Sequence, residues 1–180
     1  MKTIHTIGHS NRPVGEFTGL LGAAGIALLA DVRAYPVSRR HPHFSREPLA
    51  GALKAAGIDY LWLGAALGGH RSARADSVNT ALPPAWRGYA DHMQTSPYAA
   101  GLTAIEQHAL KRPTAIMCAE RNPSDCHRNL ISDNLVARSW CVMHIIGANE
   151  PLQHTQNPAA RWVDGVLSYP GHQQLQLGLG

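Results

Sequence analysis

The stretch Pro113-Thr-Ala-Ile-Met-Cys-Ala-Glu-Arg-Asn-Pro-Ser-Asp-Cys-His-Arg128 decides how the rest of the chain is read. Thr114–Met117 is a short apolar run that ends in Cys118 and Glu120. A turn follows, and Asp125, Cys126, His127 and Arg128 open a new element that runs as a helix to about Arg138, with Asp125 as its expected cap. A buried strand, a loop dense in ionisable groups and a helix start make one α/β unit. In such units ligands gather beyond the carboxyl ends of the strands.

Working outward, the same alternation recurs. Thr3–Ile7 reads as a first strand, broken at Gly8-His9-Ser10-Asn11. Asn11 can cap a helix with Pro13 in its first turn, and Phe17, Leu20 and Leu21 give that helix an apolar stripe ending at Gly25. Ile26–Val32 suits a strand buried on both faces, and it empties into Asp31-Val-Arg-Ala-Tyr-Pro36. A basic loop from Ser38 to Pro42 leads to a helix over about Ser45–Ala56, then to a strand at Ile58–Leu63 and to Gly64-Ala-Ala-Leu-Gly-Gly69. Residues 70–84 show no period and read as a long loop. Helices follow around Trp86, Tyr89 and Met93 and over about Pro97–Leu110, and the last strand is Trp140–Ile146.

Alternating strands and helices joined by right-handed crossovers predict a single-domain three-layer α/β/α fold around a mostly parallel sheet. Residues 1–148 form that α/β domain. Residues 149–180, weakly periodic with a Gln-rich end, are expected to be an extension, partly arm-like or disordered.

Composition narrows the class. At 180 residues and 44% apolar content the chain can bury a core without staples. No apolar run approaches the ~20 residues that span a bilayer, and the N-terminus lacks a signal-peptide apolar region, so a cytoplasmic protein without membrane contact is expected. Three cysteines, an odd and small number, favour free thiols over a disulfide framework. The net charge is +4, and the basic residues are almost all arginine. Arg33, Arg39, Arg40, Arg46, Arg71, Arg74, Arg121 and Arg128 fall in or near strand-end loops, where a planar fork suits phosphate or carboxylate.

Cys126 is expected at a helix N-terminus beside His127 and Arg128, a setting that favours a thiolate, and is therefore expected to be the more reactive thiol. Cys118 ends a buried strand and is either a second chemical thiol or a small apolar residue closing that strand. Cys141, in Trp-Cys-Val-Met, is expected in the core. Glu120 and His127 are the candidate proton carriers. Asp31 and Arg33 share a face and either orient a ligand or pair with each other. His9, Ser10, Asp31, Arg33, Gly68, Gly69 and Arg128 are the candidate substrate contacts. His41 and His43 read as surface residues, and Trp86 and Tyr89 as packing residues. The chain has neither G-x-G-x-x-G nor a Walker A loop, so no cofactor is assigned. The C-x7-C-H spacing is not a standard zinc signature, so no metal ligand is assigned either. Metal held by Cys118, Cys126, His127 and His9 stays an alternative.

At Thr6-Ile-Gly-His-Ser-Asn11, Leu29-Ala-Asp-Val-Arg33, Leu67-Gly-Gly69, Trp86-Arg-Gly-Tyr-Ala90, Met117-Cys-Ala-Glu120, Cys126-His-Arg128 and Val142-Met-His-Ile145 the chain resembles the domain of unknown function 488 family. The resemblance runs in order over roughly residues 3 to 146 and implies no defined reaction. The leading expectation is an enzyme with a cysteine and arginine site at the strand ends, acting on an anionic, phosphate-containing substrate such as a nucleotide or nucleic acid. The alternatives are a non-catalytic nucleic-acid-binding module and a metal-binding domain.

Overall fold

The structure is a computed structural model that describes residues 2–171. Its strands are β1 (Thr3–Gly8), β2 (Leu28–Asp31), β3 (Asp59–Trp62), β4 (Thr114–Cys118) and β5 (Cys141–Ile145), with β6 (Leu152–Gln153) at the edge. They order as β3-β2-β4-β1-β5-β6. All pairs are parallel except β5 with β6. The helices are α1 (Val14–Ala23), α2 (Arg46–Ala55), the short α3 (Gly64–Leu67), α4 (Pro84–His92), α5 (Ser96–Ala109) and α6 (Arg128–Ala137).

Period-two alternation along each strand divides the core in two. Ile7, Leu29, Ala115, Met117 and Ile145 meet Phe17 and Leu21 of α1 and Leu49 and Leu53 of α2. Ile4, Ala30, Ile116 and Val142 meet Tyr89 of α4, Tyr98, Leu102 and Ile105 of α5, and Leu130, Ile131 and Leu135 of α6. The chain is a three-layer α/β/α domain. The element after β1 leads leftward in the strand order to β2, whereas the element after β4 leads rightward to β5. Neighbouring β1 and β4 thus form the switch point of the sheet, where a crevice opens beyond the carboxyl ends. There the two chains stay joined by His9 N–H to Cys118 O at 3.0 Å and Ser10 N–H to Ala119 O at 2.7 Å.

Two expected helix caps move. The first helix starts at Val14 after Pro13, without a side-chain cap, so Asn11 does not serve. The chain before it is already fixed by Arg12, whose guanidinium donates to the Gly8 and Ile146 carbonyls. Asp125 does not cap α6 either. Pro123–Asp125 forms a 3₁₀ turn, Cys126 is extended at φ −142°, and the helix begins only at Arg128.

The segment expected to be arm-like is tied down as far as Tyr169. β6 pairs with β5, a hairpin of β7 (Arg161–Val163) and β8 (Val166–Ser168) follows, and Leu167 and Tyr169 are buried in the core. A buried polar chain does the anchoring. Asp133 of α6 is bonded to His154 Nε2 at 2.8 Å, His154 Nδ1 to His144 Nε2 at 2.9 Å, and His144 Nδ1 to Thr6 Oγ1 at 2.7 Å. Asp133 also accepts from Tyr169 Oη–H and from the Asn157 amide. The Gln-rich end, 172–180, lies outside the described residues. Among the described residues no helix is long and apolar enough to cross a membrane.

Candidate active site

Cys118 is the last residue of β4, buried on the side of the sheet that packs against α4–α6. The loop after it turns back so that Cys126 and His127 arrive against it. Cys118 Sγ lies 3.6 Å and Cys126 Sγ 3.7 Å from His127 Nδ1. The other ring nitrogen, Nε2, donates to the Val32 carbonyl at 3.1 Å. That bond fixes the tautomer and turns the Nδ1 lone pair toward both sulfurs. Glu120, two residues beyond Cys118, brings Oε2 to 3.3 Å from its thiol. Cys126 Sγ accepts the Arg128 amide, the first of α6, at 3.5 Å.

The electrostatics follow from this crowding. The Cys118 thiol is pushed well above its usual range by its hydrogen bond with Cys126 and by burial. Burial works against a charged His127, but its bonds to Cys118 and Val32 and the nearby Glu120 carboxylate outweigh it, so its pKa is raised. Glu120 goes the opposite way. Burial pushes it up, and hydrogen bonds from its own amide and from the two thiols bring it below the ordinary carboxylate value.

These groups form part of the lining of a pocket of about 710 Å³ beyond the strand ends. One wall carries His9 and Arg33. Arg33 donates Nε and Nη2 to the buried Asp31 carboxylate at 2.9 and 2.6 Å, and its Nη1 lies 3.3 Å from His9 Nε2. His9 is lowered to about 4, chiefly by burial. It donates Nδ1–H to Ser10 O and stacks on Phe44 at 4.4 Å. The lining also includes aromatic and basic residues, Trp86, Tyr89, His70 and Arg71. Tyr89 packs its ring 4.9 Å from that of His127 and ties its hydroxyl to Leu67 O at 2.7 Å. Tyr35 stands at the lining 74% exposed, with its ring 6.2 Å from that of His70.

Of the residues singled out in the sequence, the structure brings Cys118, Glu120, Cys126, His127, His9, Arg33 and Gly69 to this pocket. A Cβ at Gly69 would sit 3.1 Å from His127 Nδ1, so only glycine lets the ring lie this close without adjustment. Asp31 stands behind Arg33, held also by the Tyr60 hydroxyl at 2.7 Å. Ser10, Gly68 and Arg128 are not among the lining residues. Arg128 is buried and donates to the Glu120 and Arg121 carbonyls, both at 2.7 Å, so its fork shapes the loop that carries Glu120. Cys141, expected in the core, is only partly buried on β5. Trp86 and Tyr89, read from sequence as packing residues, line the pocket, as do Tyr35, His70 and Arg71. The signal that could have found His70 and Arg71 was their position directly after Gly68-Gly69 at the end of a strand-end loop.

The sequence profile of DUF488, a domain of unknown function, matches residues 13–135, more than half of the chain. No curated protein and no solved structure matches it. The matched span holds both cysteines, Glu120, His127 and Arg33, whereas His9, His144 and His154 fall outside it. The chain belongs to the DUF488 family.

Proposed function

Starting from a family whose description names no reaction, we propose that this DUF488 protein is a thiol-dependent enzyme acting in the strand-end pocket on a small anionic substrate that bears a ring, a nucleotide being the fitting class. The supporting observation is the cluster of Cys118, Cys126, His127 and Glu120 on the wall of a cavity sized for a small molecule. Fold stability gives no reason to gather two thiols, an imidazole and a carboxylate in one place, since burying polar groups costs free energy unless each is satisfied. The cluster is the reactive centre, with Glu120 positioned to accept a proton. Arg71 supplies positive charge at the wall, beside an Arg33 whose charge Asp31 balances, and Trp86 and Tyr35 supply flat apolar faces for the ring.

The rival reading, a non-catalytic nucleic-acid-binding module, draws on exposed Tyr35 beside exposed Arg39 and Arg40. Thermal shift with inorganic phosphate, nucleoside monophosphates and single-stranded oligonucleotides separates the two. The enzyme reading expects stabilisation by a mononucleotide that is lost in Trp86→Ala and Arg71→Ala. Salt-dependent oligonucleotide binding that survives replacement of both cysteines, with no mononucleotide effect, would replace it with the module.

A further inference from the structure

We propose that Cys118, Cys126 and His127 form a zinc site of the catalytic type, with three protein ligands and a fourth position facing the pocket. The inference rests on reading that pocket as an active site, and it makes the thiol dependence of that site a dependence on two thiolate ligands. The three donor atoms, Sγ, Sγ and Nδ1, all lie within 4.8 Å of one another and all three residues are buried.

The distances fit a particular ion. Zinc binds sulfur at about 2.3 Å and imidazole nitrogen at about 2.0–2.1 Å in tetrahedral geometry, which sets the edge between a sulfur and a nitrogen near ~3.6 Å. The two such edges here are 3.6 and 3.7 Å. A thiol and an imidazole hydrogen-bonded as a neutral pair could also give one such edge. One Nδ1 lone pair serves only one thiol donor and Cys118 already has an acceptor in Glu120 Oε2 at 3.3 Å, so hydrogen bonding alone does not require both sulfurs at that nitrogen.

The surroundings are those a metal ligand needs. A ligating histidine normally donates its other N–H to a carbonyl or carboxylate, which fixes the ring and its tautomer, and His127 Nε2–H is held by Val32 O at 3.1 Å. Cys126 Sγ receives the Arg128 amide at 3.5 Å, a bond that stabilises a thiolate ligand. Two thiolates balance the charge of a divalent ion, and a soft S₂N donor set selects zinc over magnesium or calcium. Gly69 leaves the ring face clear. Glu120 places its carboxylate 3.3 Å from Cys118 Sγ on the pocket side, beside rather than within the ligand triangle. A water or a substrate atom at the fourth position would therefore lie within reach of a hydrogen-bond acceptor. The sequence offers these three together with His9 as an alternative metal set, and the structure keeps the three while placing His9 Nε2 3.3 Å from Arg33 Nη1.

The test uses the full chain, purified under reducing conditions and stripped with a chelator. Cobalt(II) is added as a spectroscopic probe and zinc as its competitor. One equivalent of cobalt should give the visible bands of tetrahedral Co(II) together with sulfur-to-cobalt charge transfer, and zinc should displace it stoichiometrically. Cys118→Ser, Cys126→Ser and His127→Ala should each weaken binding at least tenfold, and Cys141→Ser should not. If a variant fails to fold, iodoacetamide labelling of the wild type decides the question, because zinc should protect Cys118 and Cys126 while leaving Cys141 unchanged. Absence of charge transfer at stoichiometric cobalt, or equal labelling with and without zinc, would overturn the site. Nucleotide stabilisation lost in Trp86→Ala is read independently of metal. Its survival beside a failed cobalt titration would remove the zinc and keep the pocket enzyme, and its absence beside a successful one would do the reverse.

Discussion

Two buried polar groupings lie on the same side of this sheet and are built on opposite principles. The chain Asp133, His154, His144 and Thr6 closes on itself. Each proton has an acceptor inside the protein, and the Asp133 carboxylate also takes Tyr169 and the Asn157 amide. The cluster Cys118, Cys126, His127 and Glu120 also pairs its protons, Cys118 with Glu120 Oε2 and His127 Nε2 with Val32 O, but it does so on an open cavity wall. Two sulfurs share one imidazole nitrogen, and the carboxylate faces a cavity of about 710 Å³. A closed network fastens structure, in this case the tail to the sheet. An open one on a cavity wall leaves bonding capacity for something from outside. Substitutions in the first should therefore cost stability and spare the pocket, and substitutions in the second should do the opposite.

The largest expected effect is on the closed network. Asp133→Ala strips the acceptor from His154, Tyr169 and the Asn157 amide at once, in a position with no solvent exposure. Removing one partner of a buried hydrogen-bonded charge costs about 3–5 kcal/mol. Urea denaturation should show a loss of that size, with the nucleotide-induced thermal shift retained in the folded fraction. A loss below about 1 kcal/mol would mean that the chain is not what anchors the tail.

The same network gives an acid sensitivity. His144 is lowered from 6.5 to about 3, first by burial and then by the neighbouring His154 and Arg128. The groups facing it are Thr6, His154 and, through His154, Asp133. A histidine with a depressed folded pKa is neutral in both states above pH 6.5, so its contribution is full there. Below 6.5 the unfolded chain takes up a proton that the folded one refuses until about pH 3, and stability falls throughout that interval. The limiting slope is about 1.4 kcal/mol per pH unit, which amounts to roughly 3 kcal/mol by pH 4. In His144→Gln the stability profile between pH 6 and 4.5 should be flatter by close to one proton. Parallel profiles for the two proteins would remove His144 as the cause.

A smaller effect is expected where the two regions meet. Arg128 donates both Nη atoms to successive carbonyls of the loop bearing Glu120. Lysine cannot span two acceptors in this way. Arg128→Lys should cost about 1–3 kcal/mol, close to the worth of one lost charged hydrogen bond. It should also lower nucleotide or cobalt affinity by loosening the loop. Unchanged affinity would mean that the loop holds its shape without the arginine.

The sequence carried the strand-end pattern because each strand is an apolar run that stops at a polar residue, and parallel pairing sends all those stops to one edge. Cys118, Glu120, Cys126 and His127 could be placed at the site on that ground alone. The role of Arg128 could not, because a free and a tethered arginine look alike until loop 119–125 is folded and its carbonyls are seen to need donors. Helix starts were misplaced for a local reason. Asn11 and Asp125 are good capping residues, but Arg12 pins the chain before the first helix and Pro123 winds a 3₁₀ turn before the last. The anchored tail was hidden as well. Its hold on the domain comes from His154 and Tyr169 reaching Asp133, contacts of 21 and 36 residues' separation that no local period reports.

The smallest expected change in stability belongs to Gly69→Ala, and it separates the two regions most cleanly. Gly69 does not adopt a positive φ, so alanine meets no backbone penalty there. Its methyl group would stand in ordinary contact with Cγ and Cε1 of His127 at 3.4 and 3.6 Å but 3.1 Å from Nδ1, close enough that the ring must shift by a few tenths of an ångström. Alanine restricts the unfolded chain and so stabilises by about 0.4–1 kcal/mol, which offsets much of that crowding, and the net change should stay within about 1 kcal/mol. The displaced atom is the one on which both sulfurs converge. A small move of a ligand is costly for binding, and perturbing the support of a metal ligand lowers affinity by about 10-fold or more. Gly69→Ala should therefore unfold in urea much as the wild type does, while its cobalt affinity falls about tenfold. Loss of stability with unchanged cobalt affinity would place His127 among the fastening groups and erase the contrast between the two networks.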